Sequence, residues 1–320
     1  MPEVEMAAVA DDGLLLAGTL TLPDGPGPHP AVLLLHASGP LDRDANTRRH
    51  RMQLGPPLAA ALAANGIATL RYDRRGVGAT PGIWRATGFT TTRHDAAAAL
   101  RALADRPDIR ADAIGVIGHS EGAIHAMTLA AQPSTAAAFG TPASGARPAV
   151  AAVVLLAGFA RLGEDALRRQ AQMIAGGLPA PVRPLLPALA NRYLARIAAT
   201  STDVARVAGI PVNARWIREL LTHDPRADLA NIHVPVLAIT GGNDIQVDPA
   251  DLDEIHRLTP GKAEIHRIPD LTHLLRRHPG RPSLRTYPRQ LREPVDPDLL
   301  TQITDWLTTR LQVPVQGTAT

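Results

Sequence analysis

Gly118-His119-Ser120-Glu121-Gly122 decides the fold, because this G-x-S-x-G stretch stands in a particular local context. The apolar run 113–117 before it predicts a buried strand, and residues 120–131 predict a helix that ends before Pro133. A strand that turns directly into a helix strains the backbone of the serine, and flanking glycines avoid collisions between a Cβ and the neighbouring chain. The pattern therefore predicts that the Ser120 hydroxyl is exposed above the sheet.

A phosphate-binding loop is the main alternative for a glycine-rich turn between a strand and a helix. Gly115, Gly118 and Gly122 do not form the pattern G-x-G-x-x-G. The chain has one lysine, Lys262, which cannot serve a P-loop at this turn. The stretch therefore favours a nucleophilic serine.

Around this turn the chain alternates β-rich runs with alanine-rich runs, which is typical of a mostly parallel sheet covered by helices. We predict strands at 14–22, 30–35, 67–72, 113–117, 150–157, 234–240 and 263–268. We predict helices at 54–65, 92–104, 120–131, 250–258 and 298–311. These elements form β-α-β crossovers and predict an α/β fold.

The texture of the sequence changes between residues 159 and 227, where arginine-studded helical segments are broken by prolines. Sheet character resumes at residue 234. We therefore predict a core formed by 1–158 and 228–320, with a helical lid inserted at 159–227.

A serine hydroxyl needs a base within hydrogen-bond reach and an acid that orients the base. On a turn of this kind the acid and then the histidine follow the serine along the chain. His273 follows the last predicted strand, and Asp244 follows the strand before it, so both loops lie where ligands meet such sheets. We predict a triad of Ser120, Asp244 and His273.

Other residues compete for two of these roles. Asp248 is the alternative acid, although Pro249 after it favours a helix N-cap. His256 and His266 fall within a predicted helix and strand, and His278 lies further out in a loop.

The negative charge on the substrate oxygen requires two donors, which this kind of site takes from backbone N–H groups. One is the residue after the nucleophile, Glu121. The other comes from the loop 36–40, where we predict Ser38, with Ala37 as the alternative.

Composition excludes several classes of protein. The apolar fraction of 45% and the charged fraction of 20% are typical of globular chains. The absence of cysteine excludes disulfides, thiol nucleophiles and thiolate metal sites. With a net charge of +3 and no H-E-x-x-H pattern, we expect no metal, no cofactor and no nucleic-acid partner. We expect no membrane segment and a cytoplasmic location, and the oligomeric state, a homodimer included, is left open.

Four stretches in chain order resemble bacterial members of the α/β-hydrolase superfamily that are described as esterases or serine aminopeptidase-like (S33-type) hydrolases. They are residues 36–44, 71–78, 118–122, and 241–244 together with 271–273. The resemblance implies an α/β-hydrolase fold, with a mostly parallel eight-stranded sheet flanked by helices and an inserted helical lid. Relatives usually have glycine where Ala37 stands, and the extra methyl group leaves the backbone donor in place.

We predict a serine hydrolase that cleaves a small-molecule carboxylic ester through an acyl-enzyme, with a thioester or an amide left open. The alternatives are an aminopeptidase acting on short peptides, a cofactor-free haloperoxidase, and a non-catalytic ligand-binding relative. A peptidase needs a carboxylate that holds the free amino terminus, for which Glu164 and Asp165 are the candidates.

Two further groups of residues have more than one interpretation. Asp73, Arg74 and Arg75 form either a structural network beside the site or a simple charged turn. Four aromatic residues either line an acyl pocket or belong to the core: Trp84, Phe89, Tyr193 and Trp216.

Overall fold

The computed structural model describes residues 1–132, 148–178, 180–261 and 263–311. Its strands are β1 (Glu3–Val9), β2 (Leu15–Thr21), β3 (His29–Leu35), β4 (Ala68–Tyr72), β5 (Ile109–His119), β6 (Ala152–Leu156), β7 (Val204–Val207), β8 (Ile210–Asn213), β9 (Val236–Gly241) and β10 (Glu264–Ile268). Its α-helices are α1 (Gly55–Ala64), α2 (Phe89–Ala104), α3 (Glu121–Ala131), α4 (Gly163–Gly176), α5 (Leu185–Ala198), α6 (Ala214–Leu221), α7 (Arg226–Leu229), α8 (Asp251–Leu258), α9 (Tyr287–Gln290) and α10 (Pro297–Leu311).

Eight strands form one sheet in the order β1-β2-β4-β3-β5-β6-β9-β10. The strands β1 and β2 pair antiparallel, β2 pairs antiparallel with β4, and every further pairing in this sheet is parallel. This arrangement confirms the prediction of a mostly parallel eight-stranded sheet flanked by helices. The strand β1 was not predicted from the sequence, and β5 begins at Ile109 rather than at residue 113.

Both faces of the sheet are buried, because alternate residues of the central strands pack against different helices. On β3, Leu33 and Leu35 join the cluster covered by α2, α3, α7 and α8. Val32 and Leu34 join the cluster covered by α1 and α10. Burying a side chain of this size contributes about 1.5–3 kcal/mol, so the centre of the sheet is a firm base for the loops at its edge.

The segment between β6 and β9 contains α4 to α7, and β7 and β8 form an antiparallel hairpin within it. The structure thus adds a hairpin to the helical segments expected at 159–227. Ala208 and Gly209 turn the chain with φ of 48° and 81°, the left-handed conformations that a tight hairpin turn requires. Alanine at the first of these positions gave no recognisable turn signal, which explains the omission.

Within the described part of the chain, no helix is long and apolar enough to cross a membrane. Residues 133–147 and 312–320 belong to the predicted core and lie outside the described residues.

Candidate active site

The turn at Ser120 joins the last residue of β5 to the first residue of α3. Ser120 has φ of 57° and ψ of −116°, a strained conformation for a residue with a Cβ. A Cβ on Gly118 would lie 2.2 Å from the Gly122 carbonyl oxygen, and one on Gly122 would lie 2.2 Å from that of Leu35. Both positions therefore require glycine, as the sequence indicated. The Ser120 N–H group donates to the Leu156 carbonyl oxygen at 2.8 Å, which fastens the turn to β6.

Asp244 and His273 come together from the loops after β9 and β10. His273 Nδ1–H donates to Asp244 Oδ2 at 2.8 Å, and both side chains are buried. Asp244 Oδ1 accepts from the backbone N–H groups of Gln246 at 2.7 Å and Val247 at 2.9 Å. A carboxylate held in this way fixes the imidazole tautomer in which Nε2 carries no proton. The geometry suits an acid that orients a base.

Ser120 and His273 line one cavity of about 360 Å³. Ser38 and Ala37 line the same cavity. Among the described residues, no hydrogen bond joins the Ser120 hydroxyl to His273. Catalytic hydrogen bonds are often long before substrate binds, so the shared cavity is the relevant observation. The structure therefore brings the predicted nucleophile, base and acid to one place.

Of the two predicted oxyanion donors, Ser38 lines this cavity and Glu121 directly follows Ser120, which lines it. Glu121 is the first residue of α3, where N–H groups have no partner within the helix and the helix dipole favours negative charge. The loop after β3 brings both Ser38 and Ala37 to the cavity, so the choice between them stays a prediction.

The competing acid and histidines have other partners. Asp248 binds Arg169 at 2.8 Å and accepts from the Ala250 N–H group at 3.1 Å, as a residue beside a helix start would. His256 Nδ1–H donates to the Ala263 carbonyl oxygen at 2.7 Å. His278 lines a different cavity, beside residues 289–297.

A charged cluster behind the turn was only partly recognised in the sequence. Arg74 Nη1 lies 3.3 Å from both carboxylate oxygens of Glu121, and His125 Nε2–H donates to Glu121 Oε1 at 3.0 Å. Arg74 Nη2 donates to the His36 carbonyl oxygen at 2.9 Å. Burial alone would raise the pKa of Glu121, but Arg74 and then His125 lower this pKa to about 2. Arg74 thus joins the residue after the nucleophile to the start of the loop that carries Ser38.

Asp73 and Arg75 also form a network rather than a simple charged turn. Arg43 donates to the Asp73 carboxylate at 3.0 Å, and Arg75 donates to both oxygens of Asp95 at 2.7 Å. Glu121 and His125 stand four residues apart on one helix, and this spacing could have revealed their contact from the sequence. Arg74, 47 residues away in sequence, could not be paired with them from spacing.

His119, the residue before the nucleophile, was not predicted to have a role. It is fully buried, and its Nε2–H donates to the His273 carbonyl oxygen at 2.9 Å. Burial, followed by the neighbouring His273, holds the pKa of His119 well below its ordinary value, so the ring is neutral. His119 thereby ties the loop that carries His273 to the end of β5.

A second cavity, of about 290 Å³, lies between the core and the inserted segment, and Ser38 lines both cavities. Trp84, Tyr193 and Trp216 line the second cavity, as the acyl-pocket interpretation required, whereas Phe89 packs in the core. Within the described residues, no group of three or more His, Asp or Glu could hold a metal ion.

A family model described as serine aminopeptidase, S33, matches residues 50–279, which include the turn at Ser120, Asp244 and His273. The chain belongs to this family. Esterase EstD of Thermotoga maritima is 28% identical over 295 residues, which cover 91% of this chain and 65% of EstD. The chain thus spans slightly less than two thirds of that relative. The 2,6-dihydropseudooxynicotine hydrolase of Paenarthrobacter nicotinovorans is 33% identical over 141 residues, covering 42% of this chain and 34% of that protein.

Solved structures confirm the fold that the resemblance implied. Est1E from Butyrivibrio proteoclasticus, solved with ferulic acid bound, has a TM-score of 0.64 at 18% identity and covers 96% of this chain and 100% of its own. A 2,6-dihydroxy-pseudo-oxynicotine hydrolase has a TM-score of 0.59 at 20% identity and covers 97% of this chain and 68% of its own. The α/β-hydrolase fold is therefore shared at low sequence identity, as is usual for a fold that hosts many activities.

Proposed function

We propose that this protein is a serine hydrolase that cleaves a carboxylic ester through Ser120, His273 and Asp244. The Ser120 hydroxyl attacks the carbonyl carbon while His273 Nε2 accepts its proton. Asp244 holds the hydrogen bond to Nδ1–H and stabilises the imidazolium that forms. These three side chains thus supply the nucleophile, the base and the acid of the first step.

The negative charge that develops on the substrate oxygen is bound by the backbone N–H groups of Glu121 and Ser38. Collapse of the tetrahedral intermediate expels the alcohol, which takes the proton from His273 and leaves an acyl-Ser120. Water activated by His273 then attacks the acyl group, and the acid is released while the serine recovers its proton. In this scheme the inserted segment 159–227 acts as the lid of the substrate pocket.

The observation that carries the proposal is the Asp244–His273 hydrogen bond of 2.8 Å beside a cavity that His273 shares with the strained Ser120. The similarity to EstD, an esterase, and to Est1E supports an ester as the substrate. An ester also makes the smallest demand on the site, because its leaving group departs more readily than an amine.

The test combines labelling with turnover. A fluorophosphonate probe should label the wild-type protein and leave Ser120→Ala unlabelled, and nitrophenyl esters of increasing acyl length should be hydrolysed only by the wild type. Ser201→Ala, at an exposed serine of the inserted segment, is the matched control and should keep both properties. Turnover that survives in Ser120→Ala would contradict the mechanism.

Turnover measured with water alone, and then with peroxide and bromide added, separates two of the alternatives. A ligand-binding relative without catalysis would bind an ester and give no Ser120-dependent turnover. A haloperoxidase would require peroxide and bromide for its activity, whereas the proposed hydrolase needs water alone.

A further inference from the structure

The two cavities meet at Ser38, one of the predicted oxyanion donors. The cavity that contains Ser120 and His273 extends towards Leu284, Tyr287 and Leu291. The cavity beneath the inserted segment extends from Ser38 and Gly39 to α5, β8 and α6. An ester carbonyl bound at Ser38 therefore has open space on both sides, which matters if the proposed function is correct.

The cavity beneath the inserted segment offers no free carboxylate. Asp95 is the acidic residue of its described lining, and Arg75 donates to both of its oxygens at 2.7 Å. The described lining of the cavity at Ser120 includes no Asp or Glu. Glu164 and Asp165, the sequence candidates for binding an amino terminus, line neither cavity, and Glu164 instead pairs with Arg168 at 2.6 Å.

Positive charge, in contrast, is in excess around the cavity beneath the inserted segment. Its lining includes Arg74, Arg75 and Arg85. Glu121 and Asp95 neutralise the first two, but Arg85 makes no ion pair with a described carboxylate. The Arg85 guanidinium instead lies 4.6 Å from the centre of the Trp84 ring, at the exposed rim. An ammonium group entering here would find no free carboxylate and would be repelled by Arg85, which already stacks on Trp84, a ring that could otherwise bind the cation.

The remaining walls suit an apolar group. Trp84, Tyr193 and Trp216 contribute aromatic surface, and Val212 and Ile217 contribute aliphatic surface. Asn213 is already satisfied within the protein: its amide donates to the carbonyl oxygens of Trp84 and Thr87, and its oxygen accepts from the Trp216 N–H group. A volume of about 290 Å³ accommodates one arm of a small ester.

From these observations we infer that the substrate is an ester whose acyl arm lies beneath the inserted segment, is apolar and carries no positive charge, so that a free amino terminus is rejected. This inference rests on the proposed function and names its substrate class. It also separates this chain from the aminopeptidase activity for which its family is described.

Two acyl groups of equal shape test the inference. The 4-(trimethylammonio)butanoyl and 5,5-dimethylhexanoyl groups differ only in that a positively charged nitrogen replaces a carbon at the end of the acyl arm. Each is offered as its nitrophenyl ester. Each enzymatic rate is divided by the rate at which hydroxide hydrolyses the same ester, so that differences in intrinsic reactivity cancel. We expect kcat/KM to favour the hydrocarbon by about 30-fold, as a like charge about 8 Å away would produce at the effective dielectric constant of about 20 near a protein surface.

The Arg85→Glu variant sharpens the test, because it places a carboxylate at the rim of the cavity. The preference should narrow by about 10-fold or more, mainly through KM. Arg267→Glu makes the same change in net charge at an exposed position on β10 that lines neither cavity, and it should leave the preference unchanged.

The Val212→Trp variant tests the position of the arm. A larger side chain in this wall should raise KM for the dimethylhexanoate ester by about 10-fold, while the acetate ester, which has almost no arm, keeps its KM. Equal effects on both esters would contradict the placement of the arm.

The outcomes separate the two proposals. If nitrophenyl acetate is hydrolysed in a Ser120-dependent manner but the charged acyl group is accepted as well as the hydrocarbon, the inference is wrong and the proposed function stands. If neither longer ester is hydrolysed while the acetate is, the apolar arm is also wrong. If no ester is hydrolysed and Ser120 stays unlabelled, both proposals fail together.

Discussion

Two buried histidine–carboxylate pairs lie near Ser120, and they are alike in geometry but not in surroundings. His273 donates to Asp244 at 2.8 Å, and His125 donates to Glu121 at 3.0 Å. Both carboxylates and both imidazoles are buried. Geometry within the pair therefore cannot decide which histidine is the base.

The difference lies in what surrounds each pair. Asp244 accepts backbone N–H groups beside His273, and the His273 ring lines the cavity that contains Ser120. Glu121 is neutralised by Arg74, and the His125 ring packs against Phe89 with 4.6 Å between ring centres. A histidine acts as a base only where its second nitrogen can reach the reacting group, so the first pair suits catalysis and the second suits structure.

The largest expected contrast comes from replacing each histidine by glutamine. We expect His273→Gln to lower kcat by about 10⁴-fold or more, the scale seen when a triad histidine is lost. His125→Gln keeps an N–H donor for Glu121 and should lower kcat by less than about 10-fold. Steady-state kinetics with a nitrophenyl ester measure both, and similar losses in the two variants would contradict the division of roles.

Replacing the carboxylates should separate activity from stability. Asp244→Asn removes the orientation of the base, so kcat should fall by about 10³-fold to 10⁴-fold while the melting temperature changes little. Glu121→Gln leaves the Arg74 guanidinium without its counter-ion, which should cost about 3 kcal/mol or more of unfolding free energy.

Denaturant unfolding and steady-state kinetics on the same two variants test whether activity is lost in one and stability in the other. Asp244→Glu and Glu121→Asp serve as controls that retain the charge. A loss of stability in Asp244→Asn larger than that in Glu121→Gln would reverse the assignment.

Arg74 connects the structural pair to the loop that carries Ser38, so its replacement should have a smaller effect on turnover. Arg74→Met removes the contact with Glu121 and the hydrogen bond to the His36 carbonyl oxygen, and we expect kcat to fall by about 10-fold with little change in KM. Arg74→Lys keeps the charge and should recover part of the loss. A change confined to KM would mean that Arg74 acts on substrate binding rather than through the loop that carries Ser38.

The meeting of Ser120, Asp244 and His273 could be predicted from the sequence, because each of these residues follows a recognisable strand. Ser120 stands in a motif whose glycines are required, because a Cβ on either one would lie 2.2 Å from a backbone carbonyl oxygen. Asp244 and His273 occupy the loops at the same edge of the sheet. The sequence also predicted the central strands, because short continuous apolar runs bounded by turn residues indicate buried strands.

The structural side could not be predicted in the same way, because it depends on contacts between distant residues. The pairing of Arg74 with Glu121 spans 47 positions, and no local pattern encodes it. The cavity beneath the inserted segment joins residues from 38 to 217, and its charge balance follows from which arginines are already paired. The β7–β8 hairpin escaped prediction for a local reason, the alanine in a left-handed turn.

The smallest expected effect is the pH dependence of stability on the structural side. Burial lowers the pKa of His125 despite its bond to Glu121, and the pKa of Glu121 lies at about 2. Both groups therefore bind fewer protons in the folded chain than in the unfolded one, so stability rises with pH. His125 contributes stability above its unfolded pKa of about 6.5, and that contribution is lost as pH falls below this value.

Replacing His125 should therefore make the unfolding free energy depend less steeply on pH in the acidic range. Between pH 6.5 and 5 we expect the unfolding free energy of His125→Gln to fall less steeply than that of the wild type, by up to about 1 kcal/mol per pH unit. Urea unfolding at several pH values measures the two slopes, and His266→Gln, at an exposed position on β10, is the matched control. Parallel slopes in wild type and His125→Gln would mean that His125 binds its proton equally well in the folded and the unfolded chain. The pair of His125 and Glu121 would then be more accessible to solvent than its contacts indicate.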